Sequence, residues 1–170
     1  MILGLDVSTS IIGVCLLEDD KIVKTDYIDL RKTTGLLHKA KVVEDYITHN
    51  LKNKNIENIF IEQAFTFFRQ GGSTAKTMAT LQNFNGVVSW LCFKLLELEP
   101  QYITPLSARS KCGIKVPRGK KAKEVVMEHF LETEEFPIEY TRYGNVQKYC
   151  YDIADAVVVA KAGSKIILDT

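Results

Sequence analysis

The sequence predicts an α/β fold, a mixed five-stranded sheet flanked by helices. Two observations predict it. Residues 1–30 read as a hairpin-linked trio of apolar runs, and the rest of the chain alternates short apolar runs with amphipathic stretches at helical spacing. Strands joined by tight turns pair antiparallel, whereas strands joined through helices return parallel, so both patterns fit one mixed sheet with helices on its faces.

The first run, Ile2-Leu3-Gly4-Leu5, is almost wholly apolar, which marks a central strand. Runs at 11–17 and 22–30 follow across short turns, with Asp19-Asp20 as the tight-turn signal between them. Leu36, Leu37, Ala40, Val43, Ile47 and Leu51 recur at helical spacing, and the polar stretch 53–58 ends that helix before a strand formed by Ile59-Phe60-Ile61. Gly71-Gly72-Ser73 reads as a break with Ser73 as the N-cap of a long helix over 73–99, stopped by Pro100. That helix carries apolar residues on more than one face, including Trp90, Leu91 and Leu95, so one face is available to a partner. Tyr102-Ile103-Thr104 is the last short strand. Helices are expected at 105–111, 121–131 and 149–162.

With 170 residues and no linker, repeat or low-complexity tract, the chain reads as one domain over 1–170. No stretch approaches the ~20 apolar residues of a membrane span, and no basic segment leads into a cleavable apolar run at the N-terminus. Cys15, Cys92, Cys112 and Cys150 are scattered, without Cys-x-x-Cys pairs or histidines at zinc spacing, so a reduced, cytoplasmic setting is expected. His38, His49 and His129 fall on helices away from the acids described next.

Net charge is only +1, but its distribution is uneven. Arg109, Lys111, Lys115, Arg118, Lys120, Lys121 and Lys123 follow one another with no acid among them, and Glu128, Glu132, Glu134, Glu135 and Glu139 come directly after. A basic segment suits a phosphate-backbone binder, and equally a solvated loop and helix face. The Gly113 to Lys121 stretch lacks the glycine spacing and the Ser/Thr of a phosphate loop.

Four carboxylates carry the chemistry. Asp6 and Glu62 each close an apolar run, so both sit where a buried strand surfaces. At the ends of neighbouring parallel strands they would lie side by side, since adjacent strands are ~4.8 Å apart. Asp152 and Asp155, at i and i+3, share one helix face, while Ile153, Ala156, Val157 and Ala160 form the face that packs on the sheet. Converging carboxylates are costly to bury unless a cation neutralises them, and an all-oxygen set suits a hard divalent ion. Asp6-Val7-Ser8-Thr9 on its own remains ambiguous, because an Asp followed by Ser/Thr also opens the phosphate-binding turns of actin-like ATPases. Phe65, Phe67 and Phe68 either plug the core or offer a ring to exposed bases.

Leu3-Gly4-Leu5-Asp6, Ile61-Glu62-Gln63-Ala64-Phe65 and Asp152-Ile153-Ala154-Asp155-Ala156 resemble, in order and spacing, the signature segments of the RuvC family. These are Holliday junction resolvases on the ribonuclease H-like fold, known from bacteria and from phage and poxvirus relatives. Leu81-Gln82-Asn83-Phe84-Asn85-Gly86 resembles the family's Leu-x-Gln-x-x-Gly helix loosely, with its Gln one position early. The resemblance implies that Asp6, Glu62, Asp152 and Asp155 hold two magnesium ions, for which manganese can substitute. It implies that Lys123 lies near the scissile phosphate, that Lys111 matches a further basic position, and that Phe65 stacks on unpaired bases. Lys115, Arg118, Lys120 and Lys121 are expected to contact DNA, in a segment more basic than in typical bacterial members. That departure puts the bacterial type's sequence preference in doubt.

The resulting expectation is an endonuclease that resolves four-way DNA junctions as a homodimer, by paired nicks leaving 5′-phosphate ends. A nuclease of broader range, cutting forks and flaps as well, shares every feature named. An actin-like phosphotransferase would need a second lobe, and a purely DNA-binding protein would not need four acids around one site.

Overall fold

The computed structural model describes residues 1–64 and 74–169. Strands β1 (Ile2–Asp6), β2 (Ile11–Glu18) and β3 (Lys21–Asp29) come first, followed by helix α1 (Leu36–Asn50) and strand β4 (Asn58–Glu62). Helix α2 (Ala75–Leu96), strand β5 (Gln101–Ile103) and helices α3 (Pro105–Lys111), α4 (Ala122–Thr133) and α5 (Lys148–Leu168) complete the order. The sheet runs β3-β2-β1-β4-β5, so the apolar first strand is central. β2 pairs antiparallel with both β1 and β3, while β4 pairs parallel with both β1 and β5. This is the mixed five-stranded sheet expected.

Asp19 and Asp20 make the turn between β2 and β3 with φ of 48° and 61°. Two successive positive φ values match the right-handed twist of a hairpin, and Asp tolerates that region better than most residues.

The sheet separates two apolar layers. α5, α3 and α4 cover one face, where Phe60, Val126, Phe130 and Val157 are buried. α1 and α2 cover the other, over Leu5, Ile12, Val43, Phe84 and Val88. α5 approaches the sheet closely because two glycines let it. A Cβ on Gly13 would lie 1.9 Å from the Asp152 carbonyl oxygen, and one on Gly4 would lie 2.6 Å from that of Ala156. Any side chain at either position would lift α5 from the strands, at its first turns over Gly13 and at its middle over Gly4.

The boundaries of α2 and α5 differ from the sequence reading. α2 stops at Leu96, ahead of the expected 99, because Glu97 adopts a left-handed conformation (φ 59°) and its N–H closes onto the Phe93 carbonyl. Its N-cap is Thr74, whose side chain accepts from the Thr77 N–H, and Ser73 lies outside the described residues. α5 continues past 162 to Leu168. Gly163 does not end it. Its bare Cα instead seats the Phe60 ring, which a Cβ would meet at 2.2 Å.

The faces of α2 are also resolved. Phe84, Val88, Leu91 and Cys92 point into the core, whereas Trp90 and Phe93 are each 56% exposed. Leu91, read from sequence among the residues of a partner-facing surface, is therefore a core residue. Apolar residues spaced on two faces of a helix do not reveal which face the sheet covers. All four cysteines are free. Burial pushes the Cys15 and Cys92 thiols up to about 12, which keeps them protonated and unreactive. Among the described residues no helix is long and apolar enough to cross a membrane.

Candidate active site

Parallel pairing of β1 with β4 sets Leu5 opposite Ile61, so the next residues, Asp6 and Glu62, emerge side by side at one end of the sheet. The first turns of α5 lie over Gly13, the residue paired with Asp6 in the neighbouring strand. Asp152 and Asp155 thereby reach the same end from above. Asp6 and Asp155 are buried, each 8% exposed, and Asp152 and Glu62 are half-buried. Asn85 of α2, itself buried, donates from Nδ2 to the Glu62 carbonyl at 3.1 Å and so ties the end of β4 to α2.

The four acids feel one another. Burial, then Glu62 and Asp155, holds the Asp6 carboxyl well above the usual carboxylate range. Burial, then Asp155, pushes Glu62 up to about 7, against the opposing pull of Arg109 and Lys123. Asp155 is raised by burial as well, and Lys123 opposes the rise. Lys123, from the first turn of α4, reaches Asp152 Oδ1 at 2.9 Å and Asp155 Oδ2 at 3.5 Å. Burial works to lower its own pKa, but Asp6, Asp155 and Asp152 overcome that and raise it. The site thus concentrates negative charge that one ammonium only partly offsets.

An all-oxygen set under such mutual repulsion fits a hard divalent cation, which would remove both the repulsion and the burial penalty. Among the described residues no three acidic, His or Cys side chains are drawn tightly enough together to grip an ion, and Lys123 instead bridges Asp152 and Asp155. Small rotations of side chains, with Lys123 displaced from the bridge, would be needed for Asp6, Glu62, Asp152 and Asp155 to act as ligands.

The basic segment divides. Lys115, Arg118 and Lys120 are exposed on the connection from α3 to α4, and exposed Lys121 sits at the start of α4, 3.2 Å from Glu124. Lys111 is not brought to the acids. It pairs at 3.2 Å with Asp169, at the far end of α5 from Asp152, ~25 Å along the helix axis. Arg109, two residues earlier on α3, is the residue of that helix whose charge, like that of Lys123, reaches Glu62 and Asp155. In the sequence Arg109 is only one of a basic run. Its distinction follows from α3, which turns positions 109 and 111 to different sides. Phe65, Phe67 and Phe68 lie outside the described residues.

Neither a protein-family model nor a curated protein matches the sequence. Solved structures do match. Thermus thermophilus RuvC in complex with a Holliday junction substrate aligns at a TM-score of 0.70 and 13% identity, covering 99% of this chain and 94% of that one. Another Thermus thermophilus RuvC structure aligns at 0.66 and 15% identity, covering 99% and 95%. The fold is that of RuvC. The yeast mitochondrial Holliday junction resolvase aligns at 0.59 and 16% identity, over 95% of this chain and 76% of that one. Identity this low speaks for architecture and leaves the chemistry to the site itself. The RuvC-like sheet carries Asp6 and Glu62 of this chain at the carboxyl ends of two adjacent parallel strands, where α/β folds gather functional groups.

Proposed function

We propose that this chain is a single-domain, metal-dependent endonuclease that resolves four-way DNA junctions by paired, symmetric nicks. The observation that carries the reading is the convergence of Asp6, Glu62, Asp152 and Asp155, with Asp6, Glu62 and Asp155 held above their ordinary range, in a fold shared with a junction-bound resolvase. Acids arranged this way repel a phosphate backbone unless cations are bound, which disfavours a purely DNA-binding role.

In this reading the four acids would hold two magnesium ions, or manganese in their place, which would supply an activated water and charge stabilisation at the leaving oxygen for phosphodiester cleavage to 5′-phosphate ends. Asp6 and Glu62, fixed by the parallel strands, and Asp152 and Asp155, fixed by α5 on Gly13, provide the ligands. Lys123 keeps a positive charge beside the carboxylates and presents it to the scissile phosphate. Arg109 steadies the negative charge at Glu62 and Asp155. Lys115, Arg118, Lys120 and Lys121 contact the backbone of the arms, Lys111 contributes more remotely, and Phe65 stacks at the opened centre.

A homodimer suits a substrate with near two-fold symmetry that needs two cuts. Exposed Trp90 and Phe93 on α2 support self-association through that helix. The free cysteines suit a reducing compartment, and the cytoplasm is the proposed location.

Cleavage of matched junction, fork, flap and duplex substrates, with and without magnesium, tests the reading. Junctions cut at two symmetric positions only with the metal are the expected result. Equal cutting of forks and flaps would replace it with a broader branched-DNA nuclease, and no cutting of any substrate would end it.

A further inference from the structure

The segment between α4 and α5 folds into a small hairpin that the proposed chemistry does not use. Tyr140 pairs with Val146 in an antiparallel bridge, the Thr141 N–H donates to the Asn145 carbonyl at 2.7 Å, and the Gln147 N–H donates to that of Glu139 at 2.8 Å. Thr141 Oγ1 accepts from the N–H groups of Tyr143 and Asn145, and Gly144, at φ 79°, closes the tip. A turn tied this many times loses little freedom on binding, so contacts made at its tip are not spent on ordering it.

The tip presents Tyr143, a residue 74% exposed. The Arg142 guanidinium lies over that ring, 4.5 Å from its centroid, and also donates to the Tyr143 hydroxyl. An aromatic ring left this open at the end of a braced turn has no role in the core, and a guanidinium stacked on it adds positive charge at the same point.

Position gives the pair a purpose. The hairpin leads straight into α5 at Lys148, and Asp152 lies only ~6 Å further along that helix. Its base is docked on the sheet, because Tyr149 stacks on Tyr27 of β3 with centroids 4.1 Å apart and planes 10° apart, and the Tyr149 hydroxyl donates to Glu139. Arg31, just beyond β3, is within electrostatic reach of both Tyr27 and Asp152. The hairpin therefore stands at the β3 edge of the acids, whereas Arg109 and the end of β4 stand on the other side.

We propose that this hairpin is a second nucleic-acid contact, in which Tyr143 stacks on a base exposed at the junction and Arg142 pairs with a backbone phosphate. The assignment rests on the junction-cleaving reading and adds to it a contact on the β3 side of the cut. A ring and a guanidinium at one tip match the two chemical features of an opened nucleic acid, a bare base face and a phosphate.

Binding of a synthetic four-way junction and of a linear duplex of the same length, without divalent metal, tests it for wild type and for Tyr143→Ala, Tyr143→Phe and Arg142→Gln. Tyr143→Ala should weaken junction binding about 5- to 140-fold, the ~1–3 kcal/mol of one base–aromatic stack, with an unchanged salt slope and a smaller effect on duplex. Tyr143→Phe should stay within about twofold of wild type, since stacking needs the ring alone. Arg142→Gln should lower the log–log salt slope by about 0.9. Unchanged unfolding temperatures would show that the variants keep the fold. A wild type that binds and cuts junctions, beside Tyr143→Ala and Arg142→Gln variants that bind them equally well with the same slope, overturns the hairpin assignment alone. A wild type that binds no junction overturns the assignment together with the function it rests on.

Discussion

Glu62→Gln should stabilise the metal-free protein at alkaline pH while destroying its cleavage activity. The Glu62 carboxyl is moved from 4.5 to about 7 by burial and by Asp155. Below pH 4.5 it is protonated in both folded and unfolded chains, and the raised value favours the folded state in full. As pH rises, the unfolded chain ionises first, so that advantage is lost progressively and is gone once the folded carboxyl also ionises above about pH 7. Glutamine has no such titration. A shift from 4.5 to about 7, at 1.36 kcal/mol per pH unit, corresponds to up to about 3 kcal/mol. In a chain of this size that is roughly 6–12 °C in Tm. The assay is thermal unfolding in EDTA at about pH 4 and about pH 8.5, for wild type and variant. Coincident curves at the acid end and a variant melting higher at the alkaline end are expected. Magnesium at the alkaline pH should then raise the wild-type Tm more than that of the variant, because the repulsion it would relieve is already reduced. A variant no more stable than wild type at alkaline pH would refute the claim that burial and Asp155 hold the Glu62 carboxyl above its ordinary range.

Other outcomes follow from the same geometry. Asp6→Asn, Asp152→Asn and Asp155→Asn should each abolish cleavage in magnesium while junction affinity holds or rises, since each removes a charge that repels the backbone; activity near wild type at any position would remove that residue from the site. Lys123→Ala should lower the single-turnover cleavage rate more than the affinity, whereas neutralising Lys120 and Lys121 should lower affinity and flatten the log–log salt slope by about 0.9 for each phosphate left without its lysine; equal losses of rate and affinity at all three would make Lys123 another backbone contact. Trp90→Glu should give a folded monomer by light scattering that seldom makes paired cuts, and a Trp90→Glu protein that still dimerises would move the interface elsewhere. Leu91→Glu, which puts a charge in the core, should fail to fold.

The strands, the β2–β3 turn and the positions of the acids were all legible in the sequence, because each is set by neighbours close along the chain. An apolar run that ends in a carboxylate marks where a strand surfaces, consecutive aspartates accept positive φ, and a spacing of three puts Asp152 and Asp155 on one helix face. What joins these pieces was decided by tertiary structure. Gly4 and Gly13 read as ordinary strand residues until α5 is found resting on them, and that contact brings the acids of the helix to the acids of the sheet. The same holds for Arg109 and Lys111, for Leu91 and Trp90, and for Tyr27 and Tyr149, which only the fold sorts into groups near the site, buried in the core or paired across elements. Periodicity reports that a segment has faces. Which face meets which neighbour depends on packing between residues far apart in sequence, and local pattern does not encode it.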